Sequence, residues 1–160
     1  MLEIINVTAT DKEAIEQVKG LFREYASWLS VDLSFQQFEE ELATLPGPYV
    51  TPHGALFLAK VDGQPAGCVA VRSFDDTNST CEMKRLFVRD AFKGHGVGKA
   101  LAAQAISAGR ELGYKRMLLD TLAHMKQAID LYTALGFQPI AAYYDNPISN
   151  AVYLSMVLEE

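Results

Sequence analysis

The residues of this chain best suited to chemistry lie between Cys81 and Leu112, where Lys93-Gly94-His95-Gly96-Val97-Gly98-Lys99 separates a short apolar run from an amphipathic segment. The first N–H groups of a helix have no intrahelical acceptor and sit at the positive end of its dipole, so a loop leading into a helix is suited to holding a phosphate. Glycine, lacking a Cβ, lets a pyrophosphate come close to the main chain. Beyond the loop, Val97, Leu101, Ala105, Ala108 and Leu112 recur at helical spacing and predict one buried face. Two common phosphate loops do not fit. A Walker loop requires glycine, four residues, then Gly-Lys-Ser/Thr, but Lys93 stands at the first glycine position and Ala100 at that of the magnesium-binding hydroxyl. A dinucleotide fingerprint requires G-x-G-x-x-G, whereas Gly94, Gly96 and Gly98 alternate.

A third pattern agrees in order and spacing. Leu86-Phe87-Val88 followed by Lys93 to Lys99 resembles the acetyl-CoA-binding motif of the GNAT N-acetyltransferases, Q/R-x-x-G-x-G/A. Leu131-Tyr132-Thr133-Ala134-Leu135-Gly136-Phe137 is similar to that family's L-Y-x-x-x-G-F signature, and together they cover the chain from Cys81 onward. Two positions depart from the pattern. Lys93 replaces Gln or Arg, supplying charge without a planar donor fork, and Met125 stands where many members carry Asn. The resemblance implies acetyl-CoA as cosubstrate, held by Leu86, Phe87, Val88, Lys93, Gly94, His95, Gly96, Val97, Gly98 and Lys99, with no metal. It also implies Tyr132 as the group that protonates the leaving thiolate, a primary amine of a small molecule or peptide as acceptor, and a homodimer as one arrangement. A non-catalytic acyl-CoA-binding or sensing module is the alternative, left open by Met125.

Acyl transfer to an amine needs the neutral amine. A lysine-like amine is neutral only about once in 2,500 molecules at pH 7, roughly 4.6 kcal/mol of missing nucleophile, so a base is useful. Glu82 precedes Val88 by six residues, which in a regular strand places both on one face about 20 Å apart, a span that suits an extended pantetheine arm. A glutamate at about this place is the base in the histone-acetylating branch of the family, which carries that role to Glu82. An ion pair with Lys84 or a neighbouring strand is the plainer reading. Tyr132, with Met125, Ala128 and Ile129 on its side of a helix, equally reads as a core tyrosine. His95 falls at a variable loop position, Asp120 is a weaker polar candidate at a strand end, and the tail from Ala142 to Pro147 either lines the acceptor pocket or enters a hairpin.

The elements that would position these groups alternate between strand and helix. Strands are predicted at Leu2 to Val7, Ala55 to Val61, Ala66 to Phe74, Glu82 to Val88, Met117 to Thr121, Gln138 to Tyr144 and Ala151 to Leu158. Helices are predicted at Asp11 to Leu29, Ser34 to Leu45, after the glycine loop, and at Met125 to Leu135, with Asp11 and Ser34 as caps and Gly136 as a stop. Asp62-Gly63 marks a hairpin. The expected fold is α/β, a mixed and largely antiparallel sheet split around a β-α-β acetyl-CoA-binding unit, forming a single N-acetyltransferase domain over residues 1–160.

At 160 residues and 49 % hydrophobic, the chain suffices for one core. It shows no run of 18 apolar residues and no basic-then-apolar leader, so neither a membrane partner nor a signal peptide is expected, and cytoplasm is the default. Cys68 and Cys81 read as reduced core thiols. The net charge of −6 divides into −7 for residues 1–80 and +1 for residues 81–160, which argues against nucleic acid. Glu24, Asp32, Glu39, Glu40, Glu41, Asp75 and Asp76 suggest a carboxylate-edged cleft that favours a cationic amine, whereas Arg72 and Arg85 suggest a hold on an acceptor's carboxylate.

Overall fold

Seven strands form one mixed sheet in the computed structural model, which describes residues 1–29, 37–74 and 79–158. In chain order the elements are β1 (Leu2–Asn6), α1 (Lys12–Leu29), α2 (Phe38–Thr44), β2 (Ala55–Val61), β3 (Gln64–Ser73), β4 (Thr80–Val88), α3 (Val97–Glu111), β5 (Arg116–Leu122), α4 (Lys126–Leu135), β6 (Gln138–Ile140) and β7 (Ala151–Val157). The sheet runs β1-β2-β3-β4-β5-β7-β6, and β4 with β5 is its parallel pair, joined through α3. This is the expected mixed sheet around a β-α-β unit.

Local chemistry accounts for the element ends. Asp11 caps α1, its Oδ1 accepting the Ala14 N–H at 3.2 Å. Asp62 and Gly63, at φ 51° and 82°, make the tight turn between β2 and β3. Gly136, at φ 112°, ends α4 with paired bonds from its own N–H to the Thr133 carbonyl and from the Phe137 N–H to the Tyr132 carbonyl. α1 buries Ile15, Val18, Leu21 and Phe22 against one face of the sheet, while α3 buries Val97, Leu101, Ala105 and Ala108 against the other.

Three local expectations change. α2 begins at Phe38, after Gln37 in the left-handed region, and the proposed Ser34 cap lies outside the described residues. β6 ends at Ile140, because Tyr143 and Tyr144 leave the sheet to reach carboxylates. β4 is also irregular. Two steps along β3, from Cys68 to Ala70, are matched by three along β4, from Phe87 back to Lys84, and Arg85 within that span has φ 62°. This bulge inverts the alternation. Cys81 and Met83 face the α3 core, so Glu82 faces α1; after the extra residue Val88 packs on the α3 core and Phe87 on the α1 core. Glu82 and Val88 therefore lie on opposite faces, not on the same face as regular pairing predicts.

Candidate active site

β4 and β5 pair only through Thr80↔Arg116, Cys81↔Met117 and Glu82↔Leu118, although both strands continue. Past Glu82 they diverge, and the gap opens into a cleft of about 560 Å³. Its walls include Leu86, Phe87 and Val88 of β4, Asp120 and Thr121 of β5, the loop glycines and Tyr132 of α4. Beyond Glu82 the main chain of β4 pairs with β3 but not with β5, so the polar groups on its β5-facing edge are turned toward the cleft.

The loop into α3 forms part of the cleft wall. Gly94 and Gly96 have φ 84° and 76°, a conformation open to glycine at no steric cost, and Gly96 is the N-cap of α3. A Cβ at either would meet no protein atom within 4 Å, so the glycines are required by backbone conformation and by access, not by internal packing. The Ala100 N–H bonds to the Gly96 carbonyl at 3.0 Å, and the N–H groups before it have no intrahelical acceptor. Of the ten residues expected to bind the cosubstrate, Leu86, Phe87, Val88, Lys93, Gly94, Gly96, Val97 and Gly98 line the cleft; His95 and Lys99 are exposed and do not. Lys93 Nζ lies 2.9 Å from Asp90 and 5.0 Å from the centre of the Trp28 ring. Trp28, 47 % exposed, and Tyr25 bring α1 into the cleft wall, packing edgewise or tilted on Phe87 with centroids 6.0 Å away. Helical spacing with Ile15, Val18, Phe22 and Leu29 marks the face of Tyr25 but not its occupant, and it does not single out Trp28.

Where β4 and β5 part, one sheet face turns polar. Arg72 of β3 stands opposite Glu82 of β4, and Lys84 and Asp120 extend the row. Glu82 is only 2 % exposed. Its Oε1 accepts Arg72 Nε at 3.0 Å and Nη2 at 2.9 Å, and its Oε2 accepts the Tyr143 hydroxyl at 2.7 Å. Asp120 accepts the Tyr144 hydroxyl at 2.5 Å; burial is the main cause raising its carboxyl above the ordinary range, and the Glu82 charge adds to it. Lys84 is pushed down to about 8, chiefly by burial. Tyr132 is buried and its hydroxyl is raised by that burial and by the nearby Tyr25 and Asp120, which keeps it protonated. Tyr143, Tyr144 and Tyr153 pack ring on ring, with Phe74 against Tyr143 at 5.1 Å.

The acids expected to edge an acceptor cleft are mostly engaged elsewhere. Glu24 takes Arg89 through two bonds of 2.9 and 2.6 Å, and Glu41 takes Arg85 through two of 3.0 and 2.8 Å. Glu39 and Glu40 are exposed on α2, while Asp32, Asp75 and Asp76 lie outside the described residues. Arg85, 4 % exposed, holds α2 against the bulge and does not present a free fork to an acceptor.

A parallel strand pair thus opens beside a glycine loop at a helix start, with a polar row where the strands part. The chain belongs to the acetyltransferase (GNAT) family, whose family model matches residues 15–137. It is 38 % identical to an uncharacterized N-acetyltransferase of Schizosaccharomyces pombe, over 91 % of this chain and 90 % of that one. A Dictyostelium discoideum uncharacterized N-acetyltransferase is 34 % identical over 88 % of this chain and 92 % of its own. A Salmonella typhimurium structure, described as an acetyltransferase with its cofactor acetyl-CoA, superposes with a TM-score of 0.74 at 19 % identity, covering 100 % of this chain and 95 % of that one. This protein is accordingly an acetyltransferase. No helix among the described residues is long and apolar enough to cross a membrane.

Proposed function

We propose that this protein transfers the acetyl group of acetyl-CoA directly to a primary amine of a small molecule, in the cytoplasm. The observation that carries the reading is the parting of β4 from β5 after Glu82↔Leu118, because the cleft it creates leads from an anion-binding loop to a polar row without interruption. Acetyl-CoA supplies the activated acyl group, and the acceptor nitrogen bonds to its carbonyl carbon as the carbon–sulfur bond breaks. The N–H groups at the start of α3, with Gly94 and Gly96, would take the pyrophosphate. The β4 main chain from Met83 to Val88 would pair with the amides of the extended arm.

Tyr132 stays protonated at working pH and so donates to the departing sulfur. Because burial makes the phenol a weaker acid, the hydrogen bond itself, more than a completed proton transfer, carries the stabilisation. Glu82 receives the amine proton. Arg72 fills both sites of Oε1 and the Tyr143 hydroxyl sits on Oε2, where it offers a relay: the phenol passes its proton to Glu82 Oε2 as it takes one from the amine. Two free, buried cysteines, Cys68 and Cys81, agree with a reducing compartment.

Initial rates across acetyl-CoA and amine concentrations, with products identified by mass spectrometry, test the proposal. Intersecting patterns and an N-acetylated product are expected; parallel patterns with an acetylated protein, or no product from any amine, would overturn it.

A further inference from the structure

Among the described residues three large apolar side chains are exposed: Met1, Trp28 and Val157. Neither Met1 nor Val157 borders the cleft between β4 and β5, whereas Trp28, the sole tryptophan of the chain, lines it. An indole half in water at the wall of a cleft is surface that an occupant can cover.

Trp28 is held in that wall before any ligand arrives. Its ring packs on Phe87 of β4 at 6.0 Å between centroids, and Lys93 Nζ stands 5.0 Å from the ring centre. One turn earlier on the same side of α1, Glu24 accepts Arg89 Nε at 2.9 Å and Nη2 at 2.6 Å, and Arg89 Nη1 donates to the Pro65 carbonyl at 3.1 Å. Those bonds tie this part of α1 to the end of β4, so the indole loses little freedom when something packs on it.

Its place selects which part of an occupant it meets. Phe87 belongs to the strand edge that would pair with the amides of the extended arm, and Lys93 to the loop that would take the pyrophosphate. Between its pyrophosphate and the first amide of its arm, coenzyme A carries a quaternary carbon with two methyl groups, a compact apolar unit. Resting on the acetyl-transfer reading above, we infer that Trp28 is a cosubstrate-binding residue whose indole, together with Phe87, receives this dimethyl segment of the pantetheine arm. Methyl groups laid against the two rings take apolar surface of both partners out of water. Lys93 suits the neighbouring position. It spends one contact on Asp90, at 2.9 Å, and an ammonium has three donors, so a phosphate oxygen can be added while the ammonium stays beside the ring.

The test compares acetyl-CoA with the nucleotide half of coenzyme A, which keeps the pyrophosphate and lacks the arm. Acrylamide quenching of the wild-type fluorescence reads the exposure of Trp28 alone, because the chain has no other tryptophan. Quenching should fall on saturation with acetyl-CoA and stay near the free-protein value with the nucleotide half. By calorimetry, Trp28→Ala, verified as folded by circular dichroism, should bind acetyl-CoA about 10- to 100-fold more weakly, the range for truncating an aromatic contact, and Trp28→Phe should lose less. Affinity for the nucleotide half should be unchanged in both variants. Quenching unaltered by bound acetyl-CoA, equal acetyl-CoA affinity in folded Trp28→Ala, or an equal loss for the nucleotide half would overturn the inference while leaving acetyl transfer standing. Absence of acetyl-CoA binding to the wild-type protein would instead overturn the transfer reading and this inference with it.

Discussion

Arg85 and Glu41 meet as a planar fork on a carboxylate, Nε to Oε2 at 3.0 Å and Nη2 to Oε1 at 2.8 Å, with Arg85 buried, Glu41 mostly so, and the guanidinium 5.3 Å from the Phe38 ring centre. The pair fastens α2 to the strained bulge of β4 beside the cleft. Glu41→Gln removes the counter-charge and leaves a buried guanidinium, which should cost about 3–5 kcal/mol. Replacing both, as Glu41→Leu with Arg85→Met, should cost clearly less, since no charge is then stranded. Denaturant unfolding of the three proteins measures this, and equal losses for single and double variants would contradict it.

That pair also shows where sequence reading stops. The glycine loop, the α3 stripe, the Asp62-Gly63 turn and the Gly136 stop were legible, because each is decided within a few residues by φ preference or helical period. Partners 44 residues apart are not local, and neither is the bulge at Arg85, which depends on how β3 pairs. Regular alternation therefore put Glu82 on the wrong face relative to Val88. The insertion of β7 between β5 and β6 was hidden for the same reason, as short strands announce their existence but not their neighbours. At the site, the main-chain loop was readable from its glycines. The polar row of Arg72, Glu82, Lys84 and Asp120 comes from three strands and needed the register.

Tyr132 should be needed for turnover and not for binding. Tyr132→Phe keeps the ring contact with Phe137, at 5.8 Å between centroids, and removes only the donor. The expected effect is a fall in kcat of about 10²- to 10⁴-fold with acetyl-CoA affinity nearly unchanged. Wild-type turnover would return this residue to the core.

Tyr143 and Glu82 should behave as one unit. Tyr143→Phe and Glu82→Gln both interrupt the path for the amine proton, so both should slow transfer most at low pH, where the unprotonated amine is scarcest. The double variant should be little worse than either single one. Additive losses in kcat/KM, or pH profiles that differ in shape, would separate the two residues.

Lys84 should leave a signature in stability against pH. Its folded value is lowered from 10.5 to about 8, so between those limits the unfolded chain binds more protons, and this group's contribution to stability rises with pH. Below about pH 8 the cost of burying the charge is present in full. Lys84→Met should therefore be favoured over wild type most at neutral pH, with the difference shrinking as pH climbs toward 10.5. A difference independent of pH across that window would show that Lys84 titrates normally.

Binding of acetyl-CoA at the start of α3 is the claim on which the site rests. Gly96→Asp tests it directly, because aspartate tolerates the left-handed region better than most residues and a carboxylate at a helix N-cap favours the helix, so the fold should survive. The same carboxylate would occupy and repel the place of the pyrophosphate. Calorimetric titration of acetyl-CoA should show single-site binding to the wild-type protein and at least a tenfold weaker affinity for the variant, whose circular dichroism is unchanged. Equal affinity in a folded Gly96→Asp protein would contradict the account.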